Sequence, residues 1–545
     1  MKTGNKDTLK RVLGEIPLTA ELYWLVRQQK NPIHSRFALR HLQEKLPEMV
    51  EETKKLSEKK LATGKKIFLF ATLHYWIEQA VITALGLVAE GNRVTFGYYP
   101  YGDWFTDLPK FDLRRQNIYA HKVLEPADTL IHPFSFLNYR SQFTVLPKDL
   151  QAAVKEISIY DTQYTLQIEE VDETSSVYQF RLKRNTEAAQ SIYAWLRANK
   201  PDVVVVPNGT ILEFGIVYRV ARYLKIPTST YEFSDQKDAF WLGQNTEIMR
   251  QDTSQMWAVK QQESFTKEQL GRIKNLFEAR EKARTTENFT RQWQSLPSQG
   301  GQSVKEALKL DDRPVVLLAT NVLGDSLTLG RQVFTKTMAD WVARTILYFI
   351  GRPDIQLIIR IHPGEILTRE YSMVDVVRKT LPELPEYIHV IAPEEKVNTY
   401  DLVALTDVGL VYTTTVGLEM ALKGLPVVVA GQTHYRGRGF TYDPTSWVDY
   451  FKILGRLLEN PKVFRLEQEK IDLAWKYAYH FFYTFPLPFP WHIKYWGDYD
   501  SHHIEQVLNP SNRKRYEPTF KYLAGENLNW DAIKNGKKPV DTIGG

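Results

Sequence analysis

Four consecutive valines, Val203–Val206, lie between a helical stretch, "SIYAWLRANKPD", and the polar break "PNG" at 207–209. A second helix-and-strand unit, "ILEFGIVYRVARYLKIPTSTYEF" at 211–233, follows directly. So short an unbroken apolar run is a strand buried on both faces, which a parallel sheet covered by helices on each side provides. The same grammar recurs along the chain. "KKIFLFATLHYW" (65–76) reads as a buried strand, "IEQAVITALGLVAEGN" as a helix closing on Gly-Asn, and "RVTFGYY" (93–99) as the next strand. Later, "RPVVLLAT" (313–320), "DIQLIIRIHP" (354–363), "IHVIAP" (388–393), "VGLVYT" (408–413) and "LPVVVAG" (425–431) alternate with helical stretches such as 332–350 and 416–423. The pattern predicts an α/β chain with two Rossmann-like, doubly wound domains.

At 545 residues the chain is too long for one core. The divisions expected are a helical N-terminal extension (1–60), a first Rossmann-like domain (61–250), a charged helical linker (251–305), a second Rossmann-like domain (306–480) and a C-terminal extension packing back (481–545). The linker ends in the break "SLPSQGGQS". The segment 475–499 carries twelve aromatic side chains. Packing across both domains would account for them, and so would a stacking platform for sugars or a contact with a membrane interface.

Net charge is +6, from 70 basic and 64 acidic residues, which suits an anionic small substrate or a membrane surface but is too diffuse for nucleic acid. There are no cysteines, so disulfides and thiolate metal sites are excluded. The first residues lack the apolar core of a signal peptide, and the longest apolar run, 80–89, is about half a membrane span. A cytoplasmic protein is expected. The basic N-terminal helix and the aromatic tail offer routes to peripheral contact with the inner membrane.

In open α/β sheets ligands bind beyond the carboxyl ends of the strands, so the residues just after each strand are the candidates. In the first half these are His74, Asn208, Gly209 and Glu232; in the second they are Asn321, Asp325, Arg360, His362, Glu365 and the stretches 413–415 and 431–439. In "RIHPGE", alternation puts Arg360 and His362 on one strand face, and Pro363 ends the strand. A histidine there can donate to a phosphate oxygen, or merely bond to backbone.

Thr413, Thr414 and Thr415 form a strand-to-helix turn before "VGLEMALKG". One hydroxyl, Thr415, is expected to cap the helix. The others, with the turn's N–H groups around Gly417, suit a phosphate. Glu419 is one residue out of register for a capping box. It either pairs with Lys423 at i+4 or accepts the hydroxyls of a ribose. "GQTHYRGRGFTYDP" (431–444) reads as a flexible cationic loop, in which His434, Arg436 and Arg438 face a diphosphate or acidic sugar or else stand in solvent. No P-loop, dinucleotide fingerprint or compact metal cluster occurs.

"RIHPGE" followed by "VYTTTVGLEMALKGLPVVVAGQTHYRGRGFTYDP", with "PNG" (207–209), Glu232 and Asn245 earlier, resembles the capsule polysaccharide biosynthesis family over roughly 200–485. These are surface-glycan glycosyltransferases of GT-B architecture, Kdo transferases among them. The resemblance implies two Rossmann-like domains facing a cleft, with a nucleotide-sugar donor (CMP-, UDP- or GDP-linked) on the second and a glycan or glycolipid acceptor on the first. It implies that His362 contacts the donor phosphate, Thr413–Thr415 cradle it, Glu419 holds the ribose, and Asn208, Gly209 and Asn245 lie on the acceptor side. It implies no metal and no cofactor. An inverting transfer requires a base across the cleft. Glu232 is the first candidate and His74 the second, with Glu213 and Asp235 also possible; the alternative for Glu232 is an ion pair to the linker. A nucleotide-sugar 2-epimerase, a teichoic-acid-type glycerophosphotransferase and a non-catalytic glycan-binding export subunit are alternatives on the same scaffold.

Overall fold

The first sheet contains β1 (Lys66–Thr72), β2 (Arg93–Tyr99), β3 (Phe134–Ser135), β4 (Val203–Pro207), β5 (Thr228–Phe233) and β6 (Ala239–Gln244). The second contains β7 (Val315–Ala319), β8 (Gln356–Arg360), β9 (Ile388–Ile391), β10 (Val408–Val411) and β11 (Val427–Val429), and β12 (Leu487–Pro488) returns to the first. This computed structural model describes residues 3–27, 37–57, 64–139, 144–284, 296–367, 371–492 and 498–533. The strand orders are β12-β6-β5-β4-β1-β2-β3 and β11-β10-β7-β8-β9. Every pairing in the second sheet is parallel. The first is parallel from β3 to β5 and antiparallel at β6 and β12. The arrangement is GT-B-like, with two Rossmann-like units.

The unbroken apolar runs are explained by what each strand face touches. In β7, Val315, Leu317 and Ala319 enter one core while Val316 and Leu318 enter another. In β11, Val427 and Val429 go to the first and Val428 to the second. Side chains alternate along a strand, so a sheet covered on both faces needs apolar residues at every position.

One of these cores joins the two units. It contains Trp241, Ile248 and Met249 beside β6, the inner face of the second sheet, and Tyr477, Phe481 and Phe482 from the helix Gln468–Tyr483. That helix explains the aromatic segment. Between 475 and 492 every aromatic side chain is buried or half-buried, so this stretch is neither an open sugar platform nor a membrane contact. Residues 493–497 of the segment lie outside the described residues. Beyond the helix, β12 adds an antiparallel edge strand to β6. Polar contacts reinforce the junction. Glu169 accepts the Met338 and Ala339 N–H groups at 2.7 and 2.8 Å, capping the helix Met338–Phe349.

The segment expected as a linker contains the helices Ser254–Lys260, Lys267–Glu281 and Gly301–Ala307, and its residues 285–295 lie outside the described ones. The helix Lys267–Glu281 packs on Gln468–Tyr483, so it is part of the joined core and not a loose connection. The helices Thr3–Glu15, Thr19–Val26 and Arg40–Ser57 precede the first sheet.

The first unit also holds a buried ionic cluster. Arg181 contacts Asp161 at 2.9 Å and Glu213 at 3.1 Å, Arg184 contacts Glu213 at 3.0 Å, and Asn185 donates to Asp161 at 2.7 Å. These residues come from three helices: Lys148–Leu166, Ser176–Asn199 and Leu212–Tyr223. Glu213, considered as a base, is therefore a structural ion. The arginines hold its carboxyl below the usual range despite burial. Removing one partner leaves a buried charge uncompensated, which costs about 3–5 kcal/mol. Arg181→Ala is expected to lose about that much in urea unfolding, whereas Arg313→Ala, which breaks an exposed pair with Asp311, should stay within about 1 kcal/mol.

Candidate functional site

A cleft opens where the carboxyl ends of β7, β8, β10 and β11 meet the segment after β5. Its lining includes Asn321, Asp325, Arg360, His362, Thr413–Thr415, Glu419 and His434 from the second unit, with Asp235, Trp241 and Arg250 opposite. Residues far apart in sequence converge because parallel strands direct all their carboxyl ends to one edge.

The threonine turn is the most unusual element. Thr415 stands at the N-cap but makes no side-chain cap bond, which corrects the expectation. Its backbone, φ −60° and ψ −20°, is already helical, so its hydroxyl cannot reach back as an extended N-cap residue does. The hydroxyl of Thr413 is buried and has no hydrogen-bond partner among the described residues. The turn itself is held by its backbone. Asn321 Oδ1 accepts the Thr413 N–H (3.1 Å), Thr433 Oγ1 donates to the Thr413 carbonyl (3.2 Å), and the Tyr435 hydroxyl donates to the Thr414 carbonyl (2.6 Å). Gly417 permits that last contact, since a Cβ there would strike the Tyr435 hydroxyl. A buried unsatisfied hydroxyl costs about 1–3 kcal/mol, so this one does not serve stability.

His362 accepts the Gly364 N–H at Nδ1 (2.9 Å), which places the proton of a neutral ring on Nε2. Its own N–H donates to Thr320 Oγ1 at 3.0 Å. Arg360 lines the cleft but donates to the carbonyls of Ala392 (2.8 Å) and Val397 (3.2 Å), fixing the loop that leads to Asn398 and the helix Thr399–Leu405, which carries Tyr400. Asp325 accepts the Leu327 N–H at 2.8 Å and folds the loop after β7. Glu365 lies beneath the cleft and does not line it. It accepts the Met373 N–H at 2.9 Å, and burial raises its carboxyl to about 7.

Glu419 is not paired as expected. Lys423 contacts Glu281 instead, while Arg280 reaches Glu419 at 3.3 Å. Arg280 also contacts Asp235 at 3.4 Å and lies over the Phe482 ring. One guanidinium thus spans both sides of the cleft. Burial raises the Glu419 carboxyl, with Arg280 and a Tyr400 hydrogen bond acting against that.

The glycine-rich loop is not a free cationic flap. Arg436 donates to the carbonyls of Val429 and Pro444, and Arg438 to Thr253 and Ser254 (both 3.1 Å), so both arginines tie structure together. His434 stacks on Phe481, with centroids 3.7 Å apart, and bonds to the Tyr477 hydroxyl. Burial, with Arg438 and Arg331 nearby, depresses it well below the usual range and leaves it neutral. Arg331, which the sequence reading missed, is a buried cation of the cleft. It lines the cleft, is buried, donates to the carbonyls of Met249 and Arg250, and has no salt-bridge partner among the described residues. Burial and the neighbouring Arg250 lower it to about 10, with Glu247 acting against them. A buried cation without a counterion is a place for an anionic ligand.

The first-unit candidates fall elsewhere. Glu232 accepts from Asn208 Nδ2 and from the Phe233 N–H, both at 3.1 Å, and does not line the cleft. Asn208 also caps the Thr210 N–H at 3.0 Å, and Gly209 takes φ +80° where a Cβ would meet Thr230 at 2.8 Å. Asn245 is exposed and ties the end of β6 to the start of β5 by accepting from Arg222 and the Thr228 N–H. His74 begins the helix His74–Ala89 and meets the Tyr75 ring edge-on. The cleft carboxylate on this side is Asp235. Glu48, Glu52 and His503 form the group with metal-ligand spacing among the described residues, and they stand outside the cleft.

No curated protein has significant sequence similarity to this chain. Among solved structures it is similar to Thermosulfurimonas dismutans KpsC, beta Kdo 2,4 transferase, with 16% identity and a TM-score of 0.36, over 53% of this chain and 82% of that one. It is similar to the beta Kdo 2,7 transferase of the same KpsC at 13% identity and a TM-score of 0.32, covering 58% and 90%. It is also similar to S. aureus MnaA, solved with UDP, at 10% identity and a TM-score of 0.27, covering 75% and 94%. Residues 258–452 match the family described as capsule polysaccharide biosynthesis protein. That stretch carries β7 to β11 and the threonine turn, so the likeness to the capsule polysaccharide biosynthesis family covers the second sheet and its cleft-lining loops.

Proposed function

We propose that this chain is a glycosyltransferase that moves a sugar from a nucleotide-sugar donor to a bacterial capsule or other surface glycan. The observation that carries the reading is the buried, unpartnered Thr413 hydroxyl in a cleft that also holds the buried Arg331 guanidinium, which has no salt-bridge partner among the described residues. Such a pair suits a phosphate, which accepts from a hydroxyl and balances a cation.

In this reading the donor phosphate lies on Thr413–Thr415, with the His362 Nε2–H donating to it and Arg331 supplying charge. Glu419 and Tyr400 face the ribose. The acceptor hydroxyl enters from the first unit, where Asp235 replaces Glu232 as the base. Asp235 takes the hydroxyl proton as the acceptor oxygen bonds to the anomeric carbon. The bond from that carbon to the phosphate oxygen breaks, and its electron pair leaves with the nucleotide. Charge developing on the departing phosphate meets donors already in place, which is electrostatic catalysis. Arg280 holds Asp235 and Glu419 in register across the cleft.

Three outcomes test this. Incubating donor with and without a glycan acceptor, followed by NMR, should show transfer only with acceptor; conversion of the donor alone would support an epimerase instead. His362→Ala should lower kcat about 10²–10³-fold with an unchanged melting curve. Thr413→Val, which removes the orphan hydroxyl but keeps the shape, should lower transfer at least tenfold while leaving stability equal or higher. Lost stability with retained transfer would make Thr413 structural.

A further inference from the structure

The two N-terminal helices present an apolar face that no described residue covers. On Thr3–Glu15 with the residue that follows it, Leu9, Val12 and Ile16 recur at helical spacing; on Thr19–Val26 with the preceding residue, Leu18, Leu22, Leu25 and Val26 do the same. These seven side chains are between 47% (Ile16) and 79% (Val26) exposed. The opposite faces are packed: Ala20 and Trp24 are buried, and Gly14 lies so close to Phe111 that a Cβ would sit 2.6 Å from its backbone nitrogen. The pair is therefore seated on the helix Lys110–Leu124 with its second face turned outward. So concentrated an apolar patch marks an interaction surface.

Charge identifies the occupant. Residues 1–36 contain seven basic and three acidic side chains. Two of those acids are turned onto the supporting helix, Glu15 to Lys110 and Glu21 to Arg114. Arg114 also donates to the carbonyls of Gly14 and Ile16 at 3.1 and 2.8 Å, fixing the corner between the helices. On the outward side Arg27 stands exposed beside the apolar stripe and Arg11 makes only a solvent-exposed pair with Asp107 at 3.5 Å, while the guanidinium groups of Arg27 and Arg115 lie 5.8 and 4.6 Å from the centre of the Tyr23 ring. Apolar side chains flanked by basic ones form the two-signal combination that binds an anionic lipid surface.

We propose that the outward face of the helices Thr3–Glu15 and Thr19–Val26 docks on an anionic phospholipid membrane, with the leucine and valine side chains inserted at the headgroup level. No helix among the described residues is long and apolar enough to cross a membrane, so the contact is interfacial. The pair packs on the first turns of the helix that follows β2, on the side of the carboxyl ends of the first sheet. Docking there brings the acceptor side of the cleft toward the lipid. That consequence rests on the transferase reading, whereas vesicle binding does not.

The test is flotation of the full chain with vesicles of phosphatidylethanolamine and phosphatidylglycerol, against vesicles of phosphatidylcholine alone, in low and high salt. The chain is expected to float with the anionic vesicles, and less so as salt rises. The double variant Leu22→Glu/Leu25→Glu should bind at least tenfold more weakly with an unchanged melting curve, because both positions are exposed. Failure to float with either vesicle, or equal flotation of the variant, would overturn the proposal. So would a sedimentation experiment without lipid that shows a dimer which the variant converts to a monomer, since a second copy would then cover the face. Transfer to a soluble acceptor should be unaffected by the variant, which separates this test from that of the active site.

Discussion

The apolar core between the second sheet, β6 and the helix Gln468–Tyr483 is the contact on which everything else depends. It brings Trp241, Ile248 and Met249 against Tyr477, Phe481 and Phe482, and so turns the carboxyl edge of the second sheet toward the segment after β5. Without it, Asp235 and Glu419 would belong to separate bodies, and Arg280 could not reach both. The cleft is thus a product of hydrophobic burial, and its polar lining is what remains where the apolar runs stop.

Within that frame the side chains divide into two groups. Arg360, Arg436, Arg438, Asn321 and Tyr435 spend their hydrogen bonds on neighbouring backbone and side chains, and they shape the loops around the cleft. Thr413 leaves a hydroxyl without a partner among the described residues, and Arg331 is a buried cation without a salt-bridge partner among them. Native interiors rarely tolerate such groups, and they gather where a ligand completes them.

The strands of both sheets were legible because a sheet covered on two faces demands unbroken apolar runs, and β2 coincides with "RVTFGYY". The two-residue edge strands β3 and β12 were not, because so short a strand carries no pattern, and β6, an inner strand that pairs antiparallel with β5 and β12, was not read either. The rule that ligands lie beyond strand carboxyl ends brought His362, Thr413–Thr415 and Glu419 into view together. It was silent on Arg280 and Tyr400, which come from helices and reach the cleft through tertiary packing, and on Arg331, which sits in the long loop after β7. Local reasoning failed where the backbone had already chosen. Thr415 is helical and cannot cap, Lys423 finds Glu281 before Glu419, and the loop arginines meet carbonyls that no sequence spacing reveals.

The central claim is that the cleft holds a nucleotide phosphate between the threonine turn and Arg331. A melting-temperature titration of the full chain with CMP, UDP, GDP and CDP tests it without presuming a sugar or an acceptor. One of the four should stabilise the chain in a concentration-dependent way, by about 2.7 kcal/mol at 100 times its dissociation constant. The shift should shrink in Arg331→Ala. No shift with any of them, or an equal shift in the variant, would contradict the assignment.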